Sequence, residues 1–233
     1  GNYSVAARND YGGTVSTIST MSAVSNPTNS YAANILELNP VGYWPLQETS
    51  APATANLETN YGSLGVLGTA YYAGTNATGV IFGQGGALTA TGDNDSSVGF
   101  PGGNTSSYLF VPLKSSGLYL KPPFTFECWV NSTSTALGDL MGDAGANGDG
   151  SGTWSGIRMS YNGAFSGGPT LTAYTYAPGS NANGYKQVNA AAFSLSAGVW
   201  NYCVMTYDGN NLQLFVNGVL QTNVTAAMAT NYW

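Results

Sequence analysis

Three oxygen-bearing side chains occur within one glycine-rich stretch of the chain, at Asp143, Asn147 and Asp149. Carboxylates, amide oxygens and backbone carbonyls from flexible loops are the ligands that Ca²⁺ takes in proteins. The stretch does not match an EF-hand, because Trp154 stands where the closing bidentate glutamate would be. We expect either a calcium site of another design or a solvated turn, in which Asp and Asn accept hydrogen bonds from nearby backbone.

The residues available for catalysis are few. The chain has no His, which excludes Ser-His-Asp and Cys-His nucleophilic systems as well as His-based zinc sites. Glycoside hydrolysis needs two carboxylates held about 5 to 10 Å apart, and none of Glu37, Glu48, Glu58 and Glu127 begins an E-x-D-x-x-E motif. Glu127 near Trp129 is an acid beside a sugar-stacking surface or, the reading we favour, a hydrogen-bonded glutamate of a strand. We therefore predict that the chain is not an enzyme.

Aromatic side chains give a second possible binding chemistry. Sixteen Tyr and five Trp stand in a chain of which only 7% of residues are charged. Trp154, Tyr174 and Tyr176 are candidates for stacking on the apolar faces of sugars. The alternative is that these rings belong to a hydrophobic core, as most aromatic residues of a β-sandwich do.

Length and charge limit the class of protein. The 233 residues suffice for one large all-β domain, and abundant Gly, Ser, Thr and Asn fit many short strands joined by polar turns. Five basic residues against eleven acidic ones give a formal charge of −6, which disfavours nucleic acid as a partner. No apolar run reaches the roughly 18 to 20 residues of a membrane span.

The clearest local structure is a β-hairpin near the end of the chain. Apolar runs at 200–207 and 212–216 flank Asp208-Gly209-Asn210-Asn211, and Gly and Asn tolerate the left-handed backbone of tight turns. The second run alternates apolar and other residues, which predicts one buried face. Asp208 is better explained by turn formation than by ligand contact.

A second strand is predicted at 124–131, with Phe124, Phe126, Cys128 and Val130 on one face. Glu127 and Trp129 lie on the other. Because both faces are mostly apolar, we expect the central strand of a two-sheet sandwich, with one face on the core and the other against a concave surface or covering loops. Further elements are a short helix at 31–38, strands at 107–112, 156–161, 170–176, 185–188 and 193–195, and a loop at 133–153.

The sequence of the hairpin resembles that of a known family. W-x-x-x-x-x-T-Y-D-G-x-x-x-x-L-F-V-N-G, which begins at Trp200 and ends at Gly218, resembles the signature of laminin G-like, concanavalin A-like jelly-roll domains, a group that includes the pentraxins. YAxxILxxNPVGYWPLxE, from Tyr31 to Glu48, resembles the opening of bacterial members. The resemblance implies a two-sheet antiparallel β-sandwich.

The same resemblance implies site residues. The loop with Asp143, Asn147 and Asp149 falls roughly where pentraxin-like relatives carry half of a calcium site, and it implies Ca²⁺ as the one candidate cofactor. Those relatives also bridge the strands that hold Cys128 and Cys203. The alternative is two buried free thiols. Cys128 stands one position later than the family pattern, which predicts that it turns to the opposite face of the sheet.

The predicted domain order is 1–20, 21–30 and 31–233. Residues 1–20 resemble the last hairpin of an immunoglobulin-like domain, because the pattern Y-x-C-x-A-x-N falls on Tyr3, Val5, Ala7 and Asn9. Residues 21–30 are expected to form a linker and 31–233 the laminin G-like sandwich. We expect the natural protein to extend before Gly1 and beyond Trp233, because a hairpin alone is marginally stable and the family continues past the second turn.

These observations predict a binding or adhesion module of a large exported bacterial protein, extracellular or at the cell surface. Its partners would be glycans or proteins that contact loops at one rim of the sandwich. One alternative is a structural module of a surface layer, stalk or filament, which self-associates through an open sheet edge. Another is the accessory domain of a carbohydrate-active enzyme.

Overall fold

The structure is a computed structural model. It describes residues 2–3, 6–9, 12–15, 19–20, 26–27, 30–52, 57–74, 79–89, 95–101, 107–112, 121–142, 145–146, 153–165, 167–181 and 185–226.

The described elements are almost all strands. In chain order they are β1 (Asn2–Tyr3), β2 (Ala6–Asn9), β3 (Gly12–Val15), β4 (Ser19–Thr20), α1 (Ser30–Glu37), β5 (Leu57–Glu58), a 3₁₀ turn (Gly65–Gly68), β6 (Ala70–Gly74), β7 (Ile81–Gly85), β8 (Ser96–Gly99), β9 (Ser107–Phe110), β10 (Phe124–Val130), β11 (Leu137–Gly142), β12 (Gly145–Ala146), β13 (Thr153–Asn162), β14 (Thr170–Asn181), β15 (Tyr185–Asn189), β16 (Asn201–Tyr207), β17 (Asn211–Val216) and β18 (Val219–Thr225). No helix in these described ranges is long and apolar enough to cross a membrane.

Two larger antiparallel sheets form the sandwich. The first sheet has the order β11-β13-β14-β15, with β12 also paired to β13, and the second has the order β10-β16-β17-β18. One cluster of buried side chains joins them, with Ile157, Met159 and Leu171 from the first sheet and Met205 and Leu214 from the second. The fold is thus the all-β, two-sheet antiparallel sandwich that the sequence predicts.

The sequence pattern explains the packing of the second sheet. Burial alternates strictly along β16 and β17, where every second residue is buried, because successive side chains of a strand point to opposite faces. Phe124, Phe126, Cys128 and Val130 of β10 pack against the same core, which confirms the face predicted for them. We call the face that points away from the first sheet the outer face.

The turn between β16 and β17 is fixed by local hydrogen bonds. The Asp208 Oδ1 accepts from the backbone N–H of Asn210 at 2.8 Å and of Asn211 at 2.6 Å. Gly209 has φ +104°, which a residue with a Cβ rarely adopts. The turn role predicted for Asp208 is therefore confirmed.

Smaller sheets precede the sandwich. β5, β6 and β9 form three strands, β7 pairs with β8, β1 with β4 and β2 with β3, all antiparallel. The assignment of 1–20 to an immunoglobulin-like domain, like the division at 21–30, stays a prediction.

Three local predictions are wrong. Within the described residues β10 lies at one end of its sheet instead of in the middle. Tyr31 of α1 contacts Trp129 on the outer face of β10. This contact explains why both faces of β10 carry large side chains. Residues 193–195 form a turn instead of a strand, with Phe193 at φ +58°. The loop predicted at 133–153 contains β11, which pairs with β13.

Candidate functional site

A row of polar side chains crosses the outer face of the second sheet. Thr125 on β10 pairs with Thr206 on β16, Thr206 with Gln213 on β17, and Gln213 with Asn223 on β18. Residues that pair across antiparallel strands point to the same face. We call these four residues the polar row.

An open groove of about 420 Å³ lies at one end of this row. Its lining includes Pro123, Thr125, Thr206, Asp208, Asn211 and Gln213. The groove is open to solvent and is not an enclosed site of the kind that buries most of a small molecule. It can hold part of a ligand that lies along the polar row.

Hydrogen bonds hold the groove residues in place. Thr206 Oγ1 donates to Gln213 Oε1 at 3.3 Å, and Asn211 Nδ2 donates to Asp208 Oδ2 at 3.1 Å. The backbone N–H groups of Asn211 and Asn210, with the side chain of Asn211, lower the pKa of Asp208, because each of these hydrogen bonds favours the carboxylate. Tyr207 Oη lies 2.9 Å from the carbonyl oxygens of Gly209 and Ala226, which ties the turn to the end of β18.

A second row, apolar, runs beside the polar row. Val204 pairs with Phe215 and Phe215 with Leu220, all on the outer face. Val204 and Phe215 are half-buried, and Leu220 is 48% exposed. We call these three residues the apolar row. The outer face thus presents hydrogen-bonding groups next to hydrocarbon.

The part of the outer face that carries Trp129 and Tyr202 is covered by α1. The Trp129 and Tyr202 rings lie 5.1 Å apart, and Trp129 Nε1 donates to Tyr31 Oη of α1 at 3.1 Å. Tyr202 Oη donates to Glu127 Oε2 at 2.5 Å. Burial, and the hydrogen bond to Glu127, raise the pKa of Tyr202. Glu127 is therefore a partnered strand residue beside Trp129, in line with the reading we favoured from the sequence.

The carboxyl groups of Glu48 and Glu58 lie close together in the part of the chain that precedes the sandwich. Glu58 is 5% exposed and accepts from the backbone N–H of Leu46 at 3.1 Å. Burial raises the pKa of Glu58 to about 9, and a hydrogen bond to Glu48 adds to the effect. Glu48 Oε2 accepts from Tyr72 Oη at 2.8 Å. Glu48 Oε1 is buried and has no hydrogen-bond partner among the described residues.

The predicted calcium and stacking residues fall largely outside the described structure. Asp143, Asn147 and Asp149 lie outside the described residues, as do the side chains of Trp154 in β13 and Tyr176 in β14. Tyr174 is described: it is 5% exposed, and the Arg158 guanidinium carbon lies 4.4 Å from its ring centroid. This arrangement disfavours stacking of a sugar on Tyr174. Within the described ranges no group of three or more Cys, Asp and Glu side chains is placed to hold a metal ion.

The two cysteines pair across neighbouring strands. Cys128 lies directly opposite Cys203 in the register of β10 and β16, and both thiols are free. The expectation that Cys128 turns to the opposite face is wrong, because paired positions share a face. The disulfide itself stays a prediction.

The polar row is the feature that the sequence reading missed. A signal was available for Gln213, which stands between Leu212 and Leu214, the two buried residues of β17. Its partners Thr206 and Asn223 depend on the turns at either end of β17, and on the shift of register between Leu214 and Phe215. The row is therefore visible only once the strands are paired.

The paired sheets, the alternating core and the cross-strand register define a β-sandwich of concanavalin A type. In agreement, a laminin G-type family model of the concanavalin A-like lectin/glucanases superfamily matches residues 101–232. Because the match covers more than half of the chain, the chain belongs to this family. No curated protein and no solved structure matched the chain significantly.

Proposed function

We propose that the chain is a non-catalytic binding module of an exported protein, and that its ligand lies on the outer face of the second sheet. The observation that carries the proposal is the polar row, which continues into an open groove. The strands below are rigidly paired and packed on a buried core, so the row is held in one geometry before a ligand arrives. Laminin G-like domains are commonly binding modules, which supports this function for the family to which the chain belongs.

The absence of catalysis is part of the proposal. Glu48 and Glu58 are engaged with each other, Tyr72 and the Leu46 backbone, and Glu127 is engaged with Tyr202. None of these three carboxyl groups lines the groove. A hydrolase would need an acid and a base facing one substrate bond, and these partners leave the three groups occupied elsewhere.

Self-assembly through a sheet edge is less well supported. β18 ends its sheet in the described part of the chain, and Val219 and Leu220 are exposed there. However, the Lys186 ammonium donates to the Thr225 carbonyl at the other end of the strand. A lysine beside an edge strand is one of the devices that oppose edge pairing.

The proposal is tested by binding of the chain to immobilised glycans and exported proteins, measured for the wild type and two variants. Gln213→Ala removes an amide from the groove. Gln84→Ala, on β7, removes the same group from an exposed glutamine outside the second sheet. We expect the first variant to weaken binding and the second to leave it unchanged. Equal binding by all three proteins, or no ligand in either panel, contradicts the proposal.

A further inference from the structure

Exposed hydrophobic side chains gather at one end of the sandwich. They are Leu137, Phe193, Val199 and Val219, and each is between 45% and 71% exposed. We call these four residues the apolar rim. Single exposed hydrophobic residues are normal on a protein surface, whereas a group of them marks a surface that contacts a partner.

The order of the strands brings the apolar rim together. Four connections between strands meet at this end of the two sheets, and they are residues 131–136, 163–169, 190–200 and 217–218. Each residue of the rim lies in one of these connections or begins the strand that follows. Backbone hydrogen bonds join the connections, since the N–H of Gly163 donates to the carbonyl of Ala136 at 3.1 Å and that of Gly198 donates to Ser132 at 3.0 Å.

Polar side chains hold the rim in one geometry. Thr170 Oγ1 lies 2.9 Å from the carbonyl oxygen of Ala191, in the turn that carries the exposed phenylalanine. Asn201, which is buried, donates from Nδ2 to the carbonyl of Val199 at 3.0 Å. Asn217 Oδ1 accepts from a backbone N–H of β16 at 2.8 Å. A surface that is already ordered loses little conformational entropy when a partner binds.

Phe193 adopts a conformation that does not favour folding. Its φ is +58°, in the left-handed region that bulky residues rarely occupy. Its ring lies on Gly168, where an added Cβ would approach the ring to 2.1 Å. Because Phe193 is also the most exposed residue of the rim, it adds little to the core. Strained residues concentrate at functional sites, so we look for its role at the surface.

The rim carries no charge, although the chain as a whole is acidic. Residues 131–138, 162–170, 189–201 and 216–223 include no Asp, Glu, Lys or Arg. Two copies of a chain with a formal charge of −6 repel each other, and this repulsion is weakest where neither surface is charged. The Ser, Thr and Asn side chains of the rim both donate and accept hydrogen bonds. The rim is therefore complementary to a second rim.

A lipid surface fits the rim less well. Segments that bind at a membrane surface combine apolar side chains with Lys and Arg, and the four stretches of the rim contain neither. The negative charge of the chain adds repulsion from anionic lipids. The ring of Phe193 also packs on Gly168, which gives the rim a platform for another protein surface.

We propose that the apolar rim is the interface of a dimer, in which two copies of the chain meet rim to rim. The same residues then contribute from both copies, as in the two-fold dimers that are commonest among oligomers. This inference goes beyond the proposed function, because it assigns the end of the sandwich instead of the outer face. The rim is smaller than the roughly 20 to 30 residues a side of a standard interface, so we expect a dissociation constant on the order of 100 µM.

The inference is tested by sedimentation equilibrium of the whole chain from about 10 µM to 1 mM. Phe193→Asn removes the ring and suits the left-handed backbone, and Val219→Ser removes a second apolar contact. Phe110→Asn on β9 and Val66→Ser in the 3₁₀ turn are the matched controls, because both residues are exposed and lie outside the rim. Circular dichroism of each dilute variant checks its fold, and Val219→Ser carries the test if Phe193→Asn disturbs the turn.

We expect the wild type and both controls to form dimers as the concentration rises. Each rim variant should raise the dissociation constant about tenfold or more, because the change occurs in both copies. Salt should strengthen the dimer, since it screens the repulsion between two acidic chains. A chain that stays monomeric, a dimer that both rim variants leave intact, or an equal loss in the controls overturns the inference. Binding of the monomer to phosphatidylcholine vesicles that Phe193→Asn abolishes also overturns it, because the rim would then contact lipid.

Discussion

Cys128 and Cys203 lie directly opposite each other on β10 and β16, with both side chains on the core face of the sheet. Opposite residues of an antiparallel pair have Cα atoms about 4.5 or 5.5 Å apart, and both values fall within the range found for disulfides. The register therefore allows a bond between neighbouring strands with little movement of the backbone.

The first prediction concerns the reactivity of these thiols. Burial raises the pKa of Cys128 to about 12 and also raises the pKa of Cys203. The thiolate is the reactive form, so alkylation of the native reduced protein should be about a thousandfold slower than that of an exposed cysteine. Reaction with iodoacetamide, followed by mass spectrometry in native buffer and in urea, measures the difference. Equal rates in the two solutions would contradict the prediction.

The second prediction is that oxidative refolding joins the two cysteines. The bond would close a long loop and stabilise the protein by about 2–4 kcal/mol relative to its reduced form. Urea denaturation of the oxidised and the reduced protein, with thiol titration of each, provides the measurement. Two free thiols after refolding in a glutathione redox buffer would show that the pair remains reduced.

The third prediction concerns a buried hydroxyl that holds the turn after β15. Thr170 Oγ1 lies within 3.1 Å of the Ala190 and Ala191 carbonyl oxygens and of Ser194 Oγ, and Thr170 is 0% exposed. Thr170→Val keeps the shape but leaves these groups without their partner. We expect a loss of about 1–3 kcal/mol in the free energy of unfolding.

Thr135→Val is the control for that variant, because Thr135 is exposed. Urea denaturation of both variants measures the effect, and the control should lie within about 0.5 kcal/mol of the wild type. A Thr170 variant as stable as the control would mean that the hydrogen bonds around this hydroxyl contribute nothing net.

The fourth prediction returns to calcium, proposed from the sequence at Asp143, Asn147 and Asp149. Calcium titration by calorimetry should give one binding event in the wild type, which Asp149→Asn should weaken because the variant removes a charged ligand. Asp208→Asn removes the same charge from a turn on the second sheet and should bind calcium as the wild type does. The absence of heat, or the same affinity in all three proteins, would favour the solvated turn.

The sequence predicts the fold well where local signals agree. Leu212, Leu214 and Val216 alternate with other residues, and the D-G turn before them has its own hydrogen bonds, so the hairpin follows from about twenty residues of sequence. Sequence analysis missed the strand β11 because its glycine-rich sequence resembles that of a loop. Its pairing with β13 is accompanied by side-chain hydrogen bonds, in which Asp139 accepts from Arg158 at 3.0 Å and from Ser160 at 2.7 Å.

The site was less predictable, for a physical reason. Thr125 and Asn223 are almost a hundred residues apart, and only the pairing of four strands places them in one row. The proximity of Glu48 and Glu58 was unpredictable for the same reason. No motif relates them, yet the fold brings both carboxyl groups together beside Tyr72. Long-range register, which no local pattern specifies, decides both arrangements.

The last prediction follows from the Glu48 and Glu58 pair. The native state holds a proton on Glu58 that the unfolded chain releases above its ordinary pKa near 4.3. The contribution to stability is therefore complete in acid and declines as the pH rises, by up to about 1.4 kcal/mol per pH unit, until the native pKa of about 9 is passed. The neighbouring Tyr43, Tyr61 and Tyr72, whose pKa values are all raised, stay neutral over this range.

Glu58→Gln isolates this effect, because the amide is neutral at every pH and has no proton to lose. Urea denaturation between about pH 5 and pH 9 should show a smaller decline of stability in Glu58→Gln than in the wild type. Glu37→Gln, which removes an exposed glutamate of α1, should keep the wild-type slope. If the wild type and both variants lose stability equally over this range, Glu58 is ionised in the native protein and the two carboxyl groups do not share a proton.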